Sequence, residues 1–388
     1  MQHSITNQSG SSVRSVLISL LLIPINCYWI VYTEMVWWGL FPTTMSLFFN
    51  VVFCLFLIIL LNLAIKHIQP SWRLSQSELL TIYILLCMGS VVASHDFGQI
   101  LVPLIGHTSW FETPENEWKE LFFPYIPKWL TIQDKSILEG YYDGDSTLYR
   151  IEQLKAWIRP TLWWTTFVVA LFWVMACINV ILRKQWIEHE KLAYPIIELP
   201  FAMTQENGTQ FFKNRLFWLA FSLVSILNLV NGLSYFVPSL PIIGVRFRDI
   251  GYLFTEKPWN ALGTVRFSIY PFVIGLGFFM PLDLSFSCWF FFLFRKFQHV
   301  LGAILGLRSF GFPFDRQQSL GAYLGLSVVA VWISRKYLIR IFRHAIIDRK
   351  SALDESNEPM RYRTAILGIV IGLAYLIGFA SKMGLTTW

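Results

Sequence analysis

Long apolar runs alternate with short polar segments along almost the whole chain. A helix that crosses a membrane needs about 20 apolar residues at a rise of about 1.5 Å each. Eight runs approach that length: Val16–Tyr32, Met45–Ile65, Leu79–Ala93, Leu162–Leu182, Leu216–Phe236, Phe267–Phe294, Leu320–Ile333 and Ala365–Ala380. The third continues more weakly over Phe97–Ile105. The sixth is interrupted at Pro281 and Asp283. A further run, Val300–Leu307, is too short to span alone. This pattern predicts an all-α fold, a polytopic transmembrane helix bundle of about eight spans with broken or re-entrant segments. We expect one transmembrane domain over residues 1–388.

Composition removes the main alternatives. Of 388 residues 55% are hydrophobic and 14% charged, against about a quarter charged in soluble domains. So little charge cannot coat a soluble particle, and it excludes disorder, collagen-like repeats and a secreted disulfide scaffold. Cys27, Cys54, Cys87, Cys177 and Cys288 all lie in apolar stretches without a CxxC pair, so we expect small core residues and no metal site. The first apolar run is long and lacks a small-residue cleavage site, so it reads as a retained span.

Charge gives an orientation. The formal net charge of +7 is expected to sit in cytoplasmic loops and not to mark a nucleic-acid binder. Lys66–Arg73, Arg183–Lys191 and Arg335–Lys350 are basic, whereas the segment after the first run carries Glu34 and no Lys or Arg. We therefore expect a cytoplasmic N-terminus. Residues 107–159, with six basic and nine acidic side chains, are expected to be an extracytoplasmic insertion. Residues 335–362 are expected to form a basic amphipathic cytoplasmic segment: Lys336, Arg340 and Arg343 share one helical face, and Leu338, Ile341, Phe342 and Ala345 the other. The pairs Gly302–Gly306, Gly321–Gly325 and Gly368–Gly372 each read as a close helix contact. Asn-x-Ser/Thr matches at Asn7 and Asn207 fall on the cytoplasmic side and are discounted.

Polar groups at membrane depth are costly and mark function or helix contacts. Four groups stand out. Asp283 lies beside Pro281, with Ser285 and Ser287, where a broken helix would present its ends to a substrate or ion; Asp283 also fits an N-cap. Tyr194 and Glu198 lie in a Pro-interrupted segment that reads as re-entrant or as an interfacial loop. Asn228 and Asn231 share a helical face, as a polar pathway or as interhelical glue. His95 and Asp96 end the third run and are candidates for a proton relay, or simply meet interfacial water. No hydrolase, zinc-protease or nucleotide-loop motif is present, so neither enzyme activity nor a cofactor is expected.

Glu190-Lys191-Leu192-Ala193-Tyr194-Pro195 resembles the K-L-x-Y-P element of the oligopeptide transporter superfamily. Pro281-Leu282-Asp283-Leu284-Ser285-Phe286-Ser287 resembles that group's second element, a broken segment before an aromatic run. Order and spacing are also similar to a family of uncharacterised bacterial multi-span membrane proteins, over most of the chain. The resemblance implies a secondary transporter fold with more helices than counted here, which makes this chain read as the N-terminal part of a longer one. Where the superfamily has small residues after Tyr-Pro, this chain has Ile-Ile-Glu-Leu-Pro. The reading is a proton-coupled transporter of a small polar or peptide-like solute in the bacterial inner membrane. Its partners would be the bilayer, a small-molecule substrate and a second copy of the chain. Alternatives are a membrane enzyme on a lipid-type substrate, with His95 and Asp96 as acid and base, and a scaffold docking through residues 107–159.

Overall fold

The computed structural model describes residues 12–386 apart from 40, 46, 193, 246, 308–310, 347–354 and 357. Asn7, Ala193, Arg349, Lys350 and Trp388 lie outside the described residues. In chain order the helices begin with α1 (Val13–Val31), α2 (Phe49–Ile68), α3 (Gln76–Val92) and α4 (Gly98–Trp110). The short α5 (Trp118–Leu121) and α6 (Lys135–Tyr142) lead to the long α7 (Ile151–Lys184). Then come α8 (Pro195–Thr204), α9 (Thr209–Lys213) and α10 (Arg215–Phe236). A small ribbon pairs β1 (Arg248–Asp249) antiparallel with β2 (Arg266–Phe267). It precedes α11 (Pro271–Phe279), α12 (Leu282–Ile304), α13 (Asp315–Ile346) and α14 (Tyr362–Lys382).

The fold is all-α, as expected from the apolar pattern. Among the described residues six helical stretches are long and apolar enough to cross a membrane: Val13–Val36, Phe49–Ile68, Ile151–His189, Arg215–Phe236, Asp315–Ala345 and Tyr362–Lys382. The other two of the eight apolar runs do not make full spans. One is α3, an apolar helix of 17 residues. The other, Phe267–Phe294, divides into α11 and α12, because Met280 and Pro281 are extended.

Residues 1–92 and 193–326 form one compact unit, and residues 93–192 and 327–388 another. In the first, α1 packs along α3, with α2 beside α3. The buried positions follow helical spacing: Val51, Leu55 and Ile59 on α2 meet Leu79, Ile82 and Leu86 on α3. Small side chains let α1 approach α3. Ser15 and Ser19 are buried, and a Cβ on Gly89 would press on Ile23 at 3.1 Å. Polar groups tie the three helices together: Asn50 Nδ2 donates to Asn26 Oδ1 and Asn26 Nδ2 to Ser90 Oγ, both at 2.8 Å.

In the second unit α7 packs along α14. Gly368 and Gly372 make this possible, since a Cβ on either would strike Cys177, Trp173 or Val174. Among the described residues this is the one glycine pair of the three that joins two helices. Gly306, at φ 65°, lies past the end of α12, Gly302 faces Phe312, and Gly321 and Gly325 face open space. The basic stretch from Arg335 starts inside α13 without a break, and Tyr337 and Ile341 bury themselves against Cys177, Val180, Tyr362 and Ala365. The insertion folds back on α4 and α7. Ile132 N–H donates to Ile105 C=O at 2.9 Å, and Trp164 Nε1 to Leu130 C=O at 3.3 Å. The Lys382 ammonium sits 4.9 Å from the Trp129 ring and 4.8 Å from Trp163, a cation held between two aromatic faces.

Candidate functional site

Asp283 stands in the first turn of α12, exposed, just after the break. Its Oδ1 accepts from Leu284 N–H at 2.9 Å, and its C=O accepts from Ser287 Oγ at 2.8 Å. The N-cap position belongs to Pro281, not Asp283. The carboxylate still lies at the positive end of the helix dipole, where an anion is favoured. Ser285 is exposed beside it and Ser287 half-buried.

His95 and Asp96 lie in the turn that separates α3 from α4. Gln99 closes this turn, donating through Nε2 to Ala93 C=O at 2.9 Å. His95 is half-buried and Asp96 exposed. Tyr194 caps α8, which starts at Pro195, where a missing N–H costs nothing. Glu198 lies exposed in the first turn of that helix. On α10, Asn228 is exposed, while Asn231 turns to its own chain: Nδ2 donates to Ile243 C=O at 3.0 Å and Oδ1 accepts Ile243 N–H at 2.8 Å.

Tyr194, Asn231, Asp96 and Asp283 fall within an order of local motifs that occurs twice. α1 ends in a π-turn over Tyr32–Val36 and α7 in one over Gln185–His189. Trp37 N–H donates to Tyr32 C=O at 3.1 Å; Glu190 N–H donates to Gln185 C=O at 2.9 Å. Two residues on, Gly39 N–H reaches Thr33 C=O at 3.3 Å, and Leu192 N–H reaches Trp186 C=O at 3.1 Å. The residue in between, Trp38 or Lys191, has φ 48° in both turns, a left-handed conformation that non-glycine residues rarely adopt. At the same spacing each turn then reaches an aromatic-proline pair, Phe41-Pro42 or Tyr194-Pro195.

A second device is shared by α2, which follows the first π-turn, and by α10, which comes after α8 and α9. Asn62 on α2 donates to Leu74 C=O at 3.1 Å and accepts Leu74 N–H at 2.7 Å, 12 residues ahead. Asn231 grips Ile243 in the same way, also 12 residues ahead. Both intervening loops carry Pro-Ser, at Pro70-Ser71 and Pro238-Ser239. Both helices leave through an extended residue, Gln69 at φ −148°, ψ 87° and Val237 at φ −123°, ψ 90°. Each copy then reaches a helix, a break and a helix: α3 and α4 around His95-Asp96 directly, and α11 and α12 around Pro281-Asp283 after the β ribbon. Asp96 stands in the first of these breaks and Asp283 in the first turn after the second.

Known proteins place the chain in one family. A family model described as a family of unknown function, DUF6785, matches residues 5–388. The chain belongs to the DUF6785 family. No curated protein and no solved structure matches it. The family match agrees with the resemblance to uncharacterised multi-span proteins.

The DUF6785 chain also holds polar features whose surroundings only the fold reveals. Glu34, fully buried within the first π-turn, accepts from Thr43 N–H at 2.9 Å and Thr43 Oγ1 at 2.7 Å. A cavity of about 500 Å³ lies between α12 and the loop that leads into β2, lined by Arg266, Arg295, Lys296 and His299. Nearby, Asp249 Oδ1 accepts the N–H groups of Gly251 and Val265, which hold its carboxyl below the usual range. The recurring Asn and Pro-Ser, at nearly equal spacing, were the available sequence signal for the repeat. For the cavity there was none, because residue type does not show that the loop before Arg266 folds back against α12.

Proposed function

We propose that this DUF6785 chain is a proton-coupled secondary transporter, or part of one, carrying a small polar or peptide-like solute across a bacterial inner membrane. The observation that supports this is the twice-used sequence of π-turn, Asn clamp and broken helix. By the Lys/Arg pattern the first π-turn faces outward and the second the cytoplasm. A pattern repeated with opposite sense is how many secondary transporters are built, with the substrate site at discontinuous helices. Asp283 and Asp96 stand at those discontinuities. Asp283, with Ser285 and Ser287, would take substrate or a coupling proton. His95 and Asp96 would relay protons, with Tyr194 and Glu198 following the second turn. The resemblance of Lys191–Pro195 to the oligopeptide transporter superfamily points the same way.

The test is uptake by full-length protein in proteoliposomes loaded with a pH-sensitive dye. Amino acids and then di- and tripeptides are supplied under an imposed proton gradient. The expected result is solute-dependent acidification absent from empty vesicles and lost in Asp283→Asn. Unchanged flux in Asp283→Asn would remove Asp283 from the pathway. No solute-dependent flux with any of these classes would overturn the transport reading.

A further inference from the structure

We infer that the cavity between α12 and the loop leading into β2 is a binding site for a phosphate group, carried by a small solute or by a lipid headgroup. This site goes beyond the transport reading and does not depend on it.

One face of α12 builds half of the site. Phe292 lies three and four residues before Arg295 and Lys296, and His299 three and four residues after Lys296 and Arg295, so the four share one side of the helix. Opposite them lie residues 261–264 and Arg266 of β2. The two halves are fastened by Lys296, whose Nζ donates to Leu262 C=O at 2.8 Å and Thr264 C=O at 2.7 Å. An interfacial lysine usually extends its ammonium toward water. Here backbone carbonyls hold it at the cavity wall instead.

Charge then selects the ligand. The lining residues include Arg266, Arg295, Lys296 and a histidine, and no carboxylate. Two carboxylates stand close by. Asp315 takes a two-point contact from Arg295, at 2.8 Å to Nε and 2.6 Å to Nη2, and lies 3.7 Å from His299 Nε2. Asp249 stands opposite Arg266 in the register of the ribbon and spends Oδ1 on two backbone N–H groups. Three cations against two carboxylates leave a surplus positive charge, larger when His299 is protonated. The guanidinium, ammonium and imidazole groups that line this space are the donor types that the several acceptor oxygens of a phosphate take. Arg266 is further held in place over the Phe247 ring, at 5.9 Å. About 500 Å³ falls within the range of small-ligand sites and exceeds the need of a bare phosphate. Phe292 offers an apolar wall to whatever the phosphate is attached to.

The experiment uses the full chain, delipidated in neutral detergent, and calorimetric titration. One arm adds inorganic phosphate and glycerol 3-phosphate. The other adds mixed micelles containing phosphatidylglycerol. Binding in the first arm, weakened about tenfold or more by Arg266→Gln, is the expected result for a solute site. Binding only in the second arm, with the same dependence on Arg266, supports the site with a headgroup as its source. His299→Gln is the second variant, and size-exclusion profiles check that both remain folded. No binding in either arm, or equal binding by both variants and the parent, overturns the proposal. No gradient is involved, so a negative result here leaves the uptake reading standing, and a failed uptake assay leaves this site standing.

Discussion

Asn62 and Asn231 show how a side-chain amide becomes part of the backbone. Each presents one donor and one acceptor to a single peptide residue, which is what a neighbouring strand would offer. The setting decides the worth of the contact. Asn62 is 1% exposed and Leu74 7%, whereas Ile243 is 44% exposed. Asn62→Ala leaves a buried N–H and C=O without partners and should cost about 1–3 kcal/mol. Asn231→Ala should cost less, because solvent reaches Ile243. Denaturant titration of both variants in detergent checks this order; equal losses would contradict it. An i, i+3 pair of Asn228 and Asn231 is visible in the sequence. The backbone target of Asn231 is not, since it depends on how the loop after Pro238 turns.

At the scale of elements, the glycine pairs separate what a motif permits from what a fold uses. Gly368 and Gly372 let α7 reach the backbone of α14, while Gly321 and Gly325 touch nothing among the described residues. Gly368→Leu should therefore destabilise the second unit by about 1–3 kcal/mol through overpacking. Gly321→Leu should be nearly neutral. Thermal unfolding followed by tryptophan fluorescence reports both, and similar shifts in the two would refute the assignment. The three pairs are equivalent by spacing. What distinguishes them is which helix lies opposite, and whether the second glycine is still helical, which Gly306 is not. The break at Pro281 was legible because proline lacks the N–H that a continuous helix needs. The unbroken run of α13 from Asp315 was not, because packing of Tyr337 and Ile341 outweighs the local change from apolar to basic composition.

For the molecule as a whole, the repeated pattern makes a statement about sidedness. If the two copies run in opposite senses, Trp38 and Lys191, the left-handed residues of the two π-turns, face opposite sides of the membrane. Both are exposed. In a background without the five native cysteines, Trp38→Cys should react with a membrane-impermeant maleimide added outside intact cells. Lys191→Cys should react only after permeabilisation. Labelling of both from one side would remove the inverted arrangement on which the transport reading leans.

Taken alone, the sequence determined the class of the protein. A chain that is 55% hydrophobic and 14% charged, with apolar runs near span length, has to be helical at membrane depth, because lipid offers backbone groups no other partner. It also located Asp283 and the broken helix, through local rules of proline and charge. Tertiary structure decided the rest. It selected one glycine pair from three, gave Asn231 and Asn62 the same task, and gathered Arg266, Arg295, Lys296 and His299 around one cavity. Those outcomes depend on which segments meet across long stretches of chain. Residue type and spacing do not encode such meetings one by one; they follow from packing all the helices together.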